Sequence, residues 1–352
     1  MQKVISGIQQ IGIGIPNVHQ AWSWYRKHFG MNIPIFEEAA TANLMITYTG
    51  GIAQSRHAVL AINIQGGGGF EIWQFTNRKP QPPNFQVQIG DYGIFASKIK
   101  SRDVLATYQQ FKKNKLNIIA APQLAPCGRY QFFIQDPYTN FFQVVQSENW
   151  FKESKNLTGG SGGCIMGVSD ISQTRTLYSD ILGYDEVIYD QTDQFNDYAG
   201  LPGGDCTLRR VLLRHSQPRQ GNFSRLLGPS EIELVQVINR EAKKIYENRF
   251  WGDLGFIHLC YDIIGMPALE QECRAKGFPF TVNSSQTFDM GEAAGHFAYI
   301  EDPDGTLIEF VETHRIPILK KLGWYLNLKN RNPNKALPDW MLKTLSLNQV
   351  KD

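Results

Sequence analysis

From its first residues the chain alternates. Ile11, Ile13 and Ile15 share one face of a short extended segment and Gln10, Gly12 and Gly14 share the other, the period expected of a strand with one buried face. The period then changes. Val18, Ala21, Trp22, Tyr25 and Phe29 recur at helical spacing and make one apolar stripe, suited to packing on a sheet. The isoleucine face meets that helix, so Gln10 is expected on the opposite, concave side. Later segments repeat the logic: in GFEIWQF, Phe70 and Ile72 point to the core and Glu71 away, and in TLIEFVE, Ile308 and Phe310 point to the core and Glu309 away. Gly277 stands where a helix C-terminus wants a left-handed residue.

Self-comparison extends this pattern over most of the chain. IQQIGIGIPNVHQAWSWYRKHFGM recurs loosely as GGCIMGVSDISQTRTLYSDILGYDEV, each with a turn at Asn17 or Asp170, a helical tyrosine at Tyr25 or Tyr178 and a closing Gly30 or Gly183. IGDYGIFASKIKSRDVLATYQQF is matched by FIHLCYDIIGMPALEQECRAKG, and both run on to a hairpin that opens with Asp-Pro, at Asp136 and Asp302. Four modules in the order ABAB follow, each reading as strand, helix and three strands. A two-module ancestor was duplicated.

The length of 352 residues, with 42% apolar and 12% aromatic residues, fits about two domains with substantial cores. A formal charge of +2 and a pI near 8.2 give no footprint for nucleic acid or an anionic membrane, and no segment reaches the length of a membrane span. Lys320, Lys321, Lys329, Arg331 and Lys335 read as a solvated basic surface. Cys127, Cys164, Cys206, Cys260 and Cys273 are odd in number and lack CxxC pairing, which argues for reduced thiols and, by default, a cytoplasmic location. The run Gly66 to Gly69 lacks a following Lys-Ser/Thr and reads as a flexible hairpin, while TGGSGG at 158 to 163 joins the two halves of the chain. Arg209, Arg210 and Arg214 are candidates for an anionic substrate group, against the commoner reading of exposed strand arginines. His296 is a candidate second acid, against the commoner reading of a strand residue with a local partner.

On these residues the chain resembles the vicinal oxygen chelate superfamily, the glyoxalase, bleomycin-resistance and extradiol-dioxygenase fold, over roughly residues 5 to 315. The resemblance implies an α+β class with four βαβββ modules in tandem, forming two glyoxalase-like domains with cupped mixed sheets. Residues 1–150 would hold modules one and two, residues 151–315 modules three and four, and residues 316–352 a C-terminal helical tail that packs back through LPDWMLKTL. It also implies metal ligands on the first and last strands of paired modules. Those positions are Gln10 and Glu71, Asp91 and Gln143, Gly163 and Glu233, and His258 and Glu309. If neighbouring modules pair, Glu233, His258 and Glu309 fall together. If the outer modules pair, Gln10, Glu71, His258 and Glu309 make one complete cup and the inner cup is degraded; this crossed pairing is favoured.

Singly, a strand histidine is more often a satisfied core residue and a strand-end glutamate is usually solvated. Four such residues at equivalent positions shift the balance to a metal site. A Gln/Glu/His/Glu set is what glyoxalase I enzymes of the family use, and it suits a divalent ion such as Zn, Ni, Mn, Co or Fe. The implied function is a metal-dependent lyase or isomerase that removes a proton beside a carbonyl of a small molecule, with Glu309 as general base and Glu71 its opposite-face partner. An extradiol-type dioxygenase is the second reading, weakened by glycine in place of a histidine at Gly163. A binding or resistance protein without turnover is the third. A small-molecule substrate and a monomer or homodimer are expected, with no nucleic-acid or membrane partner.

Overall fold

The computed structural model describes residues 2–284, 288–290, 293–319 and 323–351. Module one comprises β1 (Val4–Gly14), α1 (Val18–Phe29), β2 (Ile33–Thr41), β3 (Ser55–Ile62) and β4 (Gly69–Phe75). Module two comprises β5 (Gly93–Ser101), α2 (Val104–Lys113), the short β6 (Asn117–Ile118) and β7 (Gln123–Leu124), then β8 (Tyr130–Gln135) and β9 (Phe141–Gln146). Module three has β10 (Thr158–Gly167), α3 (Ile171–Thr176), β11 (Glu186–Asp193), β12 (Leu208–Arg214), a single turn α4 (Ser224–Leu227) and β13 (Glu231–Val237). Module four has β14 (Gly255–Ile264), α5 (Met266–Ala275), β15 (Val282–Asn283), β16 (Phe288–Met290), β17 (Ala293–Glu301) and β18 (Leu307–Leu319). The chain then forms β19 (Trp324–Asn327) and α6 (Asp339–Lys343).

Local chemistry sets the helix ends. Asn17, Asp103 and Asp170 each cap a helix by accepting a backbone N–H through the side chain, and Gly30, at φ 68°, closes α1 in the left-handed conformation. Gly277 does have a positive φ, 85°.

The strands form two sheets. One has the order β15-β17-β18-β14-β1-β4-β3-β2, and the other β11-β12-β13-β10-β5-β9-β8-β6. Modules one and four thus share the first sheet and modules two and three the second, so each sheet draws one module from each half of the chain. The outer modules meet where β1 runs antiparallel to β14, with β4 parallel to β1 and β18 parallel to β14. The convex faces and the helices share one core, in which Phe29 and Phe142 lie 4.9 Å apart between ring centres. Across that core the repeated tyrosines reach the repeated Asp-Pro turns. Tyr25 donates to Asp136 at 2.6 Å and Tyr178 to Asp302 at 3.4 Å.

Two sequence expectations change in three dimensions. The glycine run at 66 to 69 is buried and meets β10 of the other sheet backbone to backbone. Gly68 and Ser161 exchange backbone hydrogen bonds of 2.8 Å in both directions, and Gly160 donates to Gly66 at 2.8 Å. A Cβ on Gly67 would lie 2.8 Å from the carbonyl carbon of Gly160. TGGSGG is accordingly part of β10, and its small residues are needed because another backbone lies against it.

The tail is the second change. It was expected to be helical, but β18 continues to Leu319 and pairs with β19, because past Arg315 its backbone groups have left β17 and β14 behind and need another partner. Helix forms later in the tail, at α6 and the 3-10 segment Thr344–Asn348 that continues it, and there Leu342 and Leu345, with Leu337 just before, dock against Ile33 and Ile62. Lys320 and Lys321 lie outside the described residues. No helix among the described residues is long and apolar enough to cross a membrane.

The glycine contact yields a stability test. Gly67→Ala and Gly160→Ala should each lower unfolding free energy by about 2 kcal/mol or more, the cost of overpacking a fitted contact. Urea denaturation checks this, and midpoints unchanged from wild type would show that the sheets do not depend on the contact.

Candidate functional site

Four adjacent strands of the first sheet, β4, β1, β14 and β18, present Glu71, Gln10, His258 and Glu309 on the concave face. The register explains how. Glu71 lies beside Gly12 of β1, Gly12 faces His258 across the central pairing, and Cys260, two residues on, lies beside Glu309. Gly12 has a steric role here: a Cβ at that position would fall 2.4 Å from Cε1 of His258. The imidazole therefore occupies the space that a side chain on β1 would fill. Trp251 stacks parallel to it at 6.4 Å and Tyr299 meets it edge-on at 5.6 Å.

The polar atoms converge. His258 Nε2 is 3.1 Å from Glu309 Oε2 and 3.3 Å from Glu71 Oε2, and Gln10 Nε2 is 3.5 Å from Glu309 Oε2. One donor atom from each of Glu71, His258 and Glu309 lies within 4.8 Å of the others, so the three form a candidate metal-ligand group. His258 is fully buried, and Gln10, Glu71 and Glu309 are buried to the last tenth. Gln10 Oε1 is buried without a hydrogen-bond partner. A half turn of that amide exchanges its oxygen and nitrogen and brings an acceptor toward the same centre.

Burial alone would strip the proton from His258. Glu309 and then Glu71 outweigh it and push the imidazole up to about 9. Burial, with the nearby Glu309 and Glu71, also holds the Tyr299 hydroxyl and the Cys260 thiol well above their ordinary values, so both are protonated at neutral pH. The group opens into a cavity of about 280 Å³ whose walls include Phe36, Met45, Trp251, Phe297 and Arg56. Arg56 is engaged by Glu38 at 2.8 Å. An apolar recess of about 90 Å³ adjoins it, sharing Gln9, Phe36 and Val311 and continuing to Leu226 and Leu345. The larger cavity of about 540 Å³, near Tyr92, Lys244 and Arg249, holds none of the four residues.

The inner cup differs in kind. Lys98 Nζ donates to Gln143 Oε1 and to Glu233 Oε2, both at 2.7 Å. Arg210 pairs with Glu233 and Asp197 at 2.7 Å, and Tyr189 and Tyr198 donate to Glu233 at 2.6 and 2.7 Å. Burial raises the Glu233 carboxyl, but Lys98 and Arg210 overcome it and hold the group far below its ordinary range. This cup carries its cation as covalent side chains. At Gly163 a Cβ would lie 1.8 Å from the Glu231 carbonyl oxygen, which excludes any side chain there.

Asp91 is a register error in the sequence reading. It precedes β5 and binds Arg240 at 2.7 Å and the backbone of Gln88 and Lys243. The position equivalent to His258 is Ala96, which lies beside Phe141 as His258 lies beside Leu307. The Asp-x-Gly that opens both segments is shared with Asp253, and the ligand position comes five residues later. Arg209 and Arg214 are paired with Asp190 and Glu231, and His296 with Asn283 at 2.6 Å. Lys98 and Tyr299 were missed, although strand parity puts both on the concave side: Tyr299 alternates with the core residues Ala298 and Ile300.

A family model described as the Glyoxalase/Bleomycin resistance protein/Dioxygenase superfamily matches residues 7–144. None of the curated proteins matches the sequence. Among solved structures, glyoxalase I from Zea mays is similar with a TM-score of 0.52 and 13% identity, covering 88% of this chain and 92% of that one. A provisionally named dioxygenase from Bacillus subtilis subsp. subtilis str. 168 is similar with a TM-score of 0.56 and 13% identity, covering 88% and 86%. At such identity the likeness is one of fold. With the module order, the two cupped sheets and the family match agreeing, residues 7–144 carry the sequence pattern of the glyoxalase/bleomycin resistance protein/dioxygenase superfamily, and the chain as a whole has the α+β fold of tandem glyoxalase-like modules.

Proposed function

We propose that the chain is a divalent-metal enzyme of the glyoxalase I type, a lyase or isomerase that moves a proton beside a carbonyl in a small molecule. Gln10, Glu71, His258 and Glu309 would hold the ion. The observation that carries this reading is the contrast between the cups. By register, Lys98 of the inner cup corresponds to Cys260 and Gly12 in the outer one, neither of which supplies a positive charge. Two buried carboxylates there face an imidazole and an unpartnered amide oxygen, a mixed oxygen and nitrogen set that matches a borderline divalent ion.

A bound ion supplies Lewis acidity to an oxygen of the substrate. The chain's own residues do the rest. Glu309, fixed between His258 and Gln10, is the preferred base for the proton on the neighbouring carbon, and Glu71 receives or returns it from the opposite side. Tyr299 keeps its proton beside Glu309 and holds that carboxylate in line. Phe36, Met45, Trp251 and Phe297 limit water and favour a substrate with an apolar body.

The chemistry is tested with the hemithioacetal of methylglyoxal and glutathione and with hydroxyacetone as probes, in metal-loaded protein. Uptake of solvent deuterium at carbon, read by NMR, should fall about 100-fold or more in Glu309→Gln and less in Glu71→Gln. Metal content should also fall by one ion per chain in a Glu71→Gln/Glu309→Gln variant. Unchanged metal content in that variant would remove the proposed site, and tight probe binding without exchange would favour the binding-protein reading.

Protons give an independent readout. With His258 at about 9 in the metal-free cup, an ion that binds its imidazole at pH 7 must displace nearly one proton. Calorimetric titration in buffers of different ionisation heat should show that release; none would mean His258 is not a ligand. The sign for the metal-free protein follows. The raised value means that the imidazolium with its two carboxylates stabilises the fold fully below about 6.5, and this contribution is lost as pH rises through about 9. The urea midpoint of metal-free protein should therefore decline over that window.

The recess predicts a trend. Straight-chain alkyl hydroxamates, which chelate through two oxygens, should bind metal-loaded protein more tightly by about fourfold per methylene until the recess is filled. Leu226→Trp should abolish the chain-length dependence while sparing acetohydroxamate. A flat series in wild type would show that the recess does not serve the site.

A further inference from the structure

A second group of metal-binding side chains lies on the other face of the first sheet. His19 is the second residue of α1, Glu37 lies on β2 and His57 on β3. Strand parity separates them from the cup: Phe36, Glu38 and Ala40 line the cavity, as does Arg56, whereas Glu37 and His57 alternate with these residues and point to the helix side. Glu37 Oε1 is 3.1 Å from His57 Nε2 and 3.7 Å from His19 Nε2. The two imidazoles meet edge-on with ring centres 5.2 Å apart, and donor atoms of all three residues lie within 4.8 Å of one another.

We propose that His19, Glu37 and His57 form a second, solvent-facing site for a divalent transition ion such as zinc. Metal–ligand bonds of about 2.0 to 2.2 Å in a tetrahedral site put neighbouring donor atoms roughly 3.3 to 3.6 Å apart, and the two separations from Glu37, 3.1 and 3.7 Å, bracket that spacing. Two neutral imidazoles and one carboxylate form a ligand set suited to zinc, cobalt or nickel. The side chains of His19, Glu37 and His57 are 62%, 39% and 26% exposed, so an ion enters from solvent and retains water in its remaining position. Since each ligand comes from a different element, a bound ion ties the first turn of α1 to the edge pair β2 and β3. Those strands also furnish Phe36, Glu38 and Arg56 to the cavity. Occupancy would thereby stiffen one wall of the cup without touching its four polar residues.

The test uses full-length protein stripped of metal. Zinc stoichiometry is measured by equilibrium dialysis and cobalt binding by visible absorption in wild type, in His19→Ala/His57→Ala and in Glu71→Gln/Glu309→Gln. Two ions are expected in wild type and one in each double variant, with a different cobalt spectrum remaining in each. Single His57→Gln should weaken the surface site by at least about tenfold, since even changes to groups that only support a ligand cost that much. His19 is exposed and His57 half-buried, so circular dichroism of His19→Ala/His57→Ala should match wild type. If His19→Ala/His57→Ala takes up as many ions as wild type with the same cobalt spectrum, the inference is overturned. Should wild type bind a single ion that is lost only in His19→Ala/His57→Ala, the surface site stands and the metal reading of the cup fails.

Discussion

The antiparallel pairing of β1 with β14 is the constraint on which the rest depends. It joins the first and last quarters of the chain, some 250 residues apart in sequence, as Gln10 and Cys260 show, and sets Gly12 directly opposite His258. A slip of one residue would turn every side chain of one strand to the other face. Ile11 and Ile13 would then face the cavity, and Gln10 would enter the core. The burial of the isoleucine face therefore fixes the register, and the register in turn gathers Gln10, Glu71, His258 and Glu309.

Pairing the quarters crosswise would leave the chain with two independent sheets if nothing bridged them. Three kinds of contact do so. The aromatic core joins α1 to β9, through Phe29 and Phe142. Tyr25 and Tyr178, at equivalent places in the repeat, reach the Asp-Pro turns of the following modules. The glycine runs bring the two sheets to backbone contact, which only residues without side chains permit. Strand pairing thus links first with fourth and second with third, while the tyrosines link first with second and third with fourth. Every module is held from two directions.

The two cups show how one scaffold yields opposite electrostatic outcomes. Buried carboxylates need positive partners, and the chain meets that need in two ways. In the inner cup Lys98 and Arg210 neutralise Glu233 and Asp197 permanently, with Tyr189 and Tyr198 completing the hydrogen bonds. Such a closed network orders a core and leaves little for a ligand. In the outer cup the nearest cationic partner is His258, whose charge depends on a proton that can be exchanged. A glycine and a cysteine stand where a lysine stands in the other cup, and that difference separates a structural ion network from a candidate binding site.

The sequence by itself determined the modules, the helices with their caps, the faces of the strands and the four outer-cup residues. These are local matters, governed by periods of two and 3.6 residues and by cap and turn chemistry at Asn17, Asp170, Gly30 and Gly277. It left the pairing open, because parity says which way Glu233 or Glu71 points but not which strand lies alongside. Asp91 was misplaced although the chain carries the clue: the Asp-x-Gly it shares with Asp253 puts the equivalent of His258 five residues on, at Ala96, which the ladder sets beside Phe141. The use of the glycine runs, the turn of the tail into a hairpin and the filling of the inner cup by Lys98 were likewise decided by tertiary structure. Each depends on what lies across a gap in space, such as another backbone, an unpaired strand or a buried carboxylate, and no local pattern of residues carries that information.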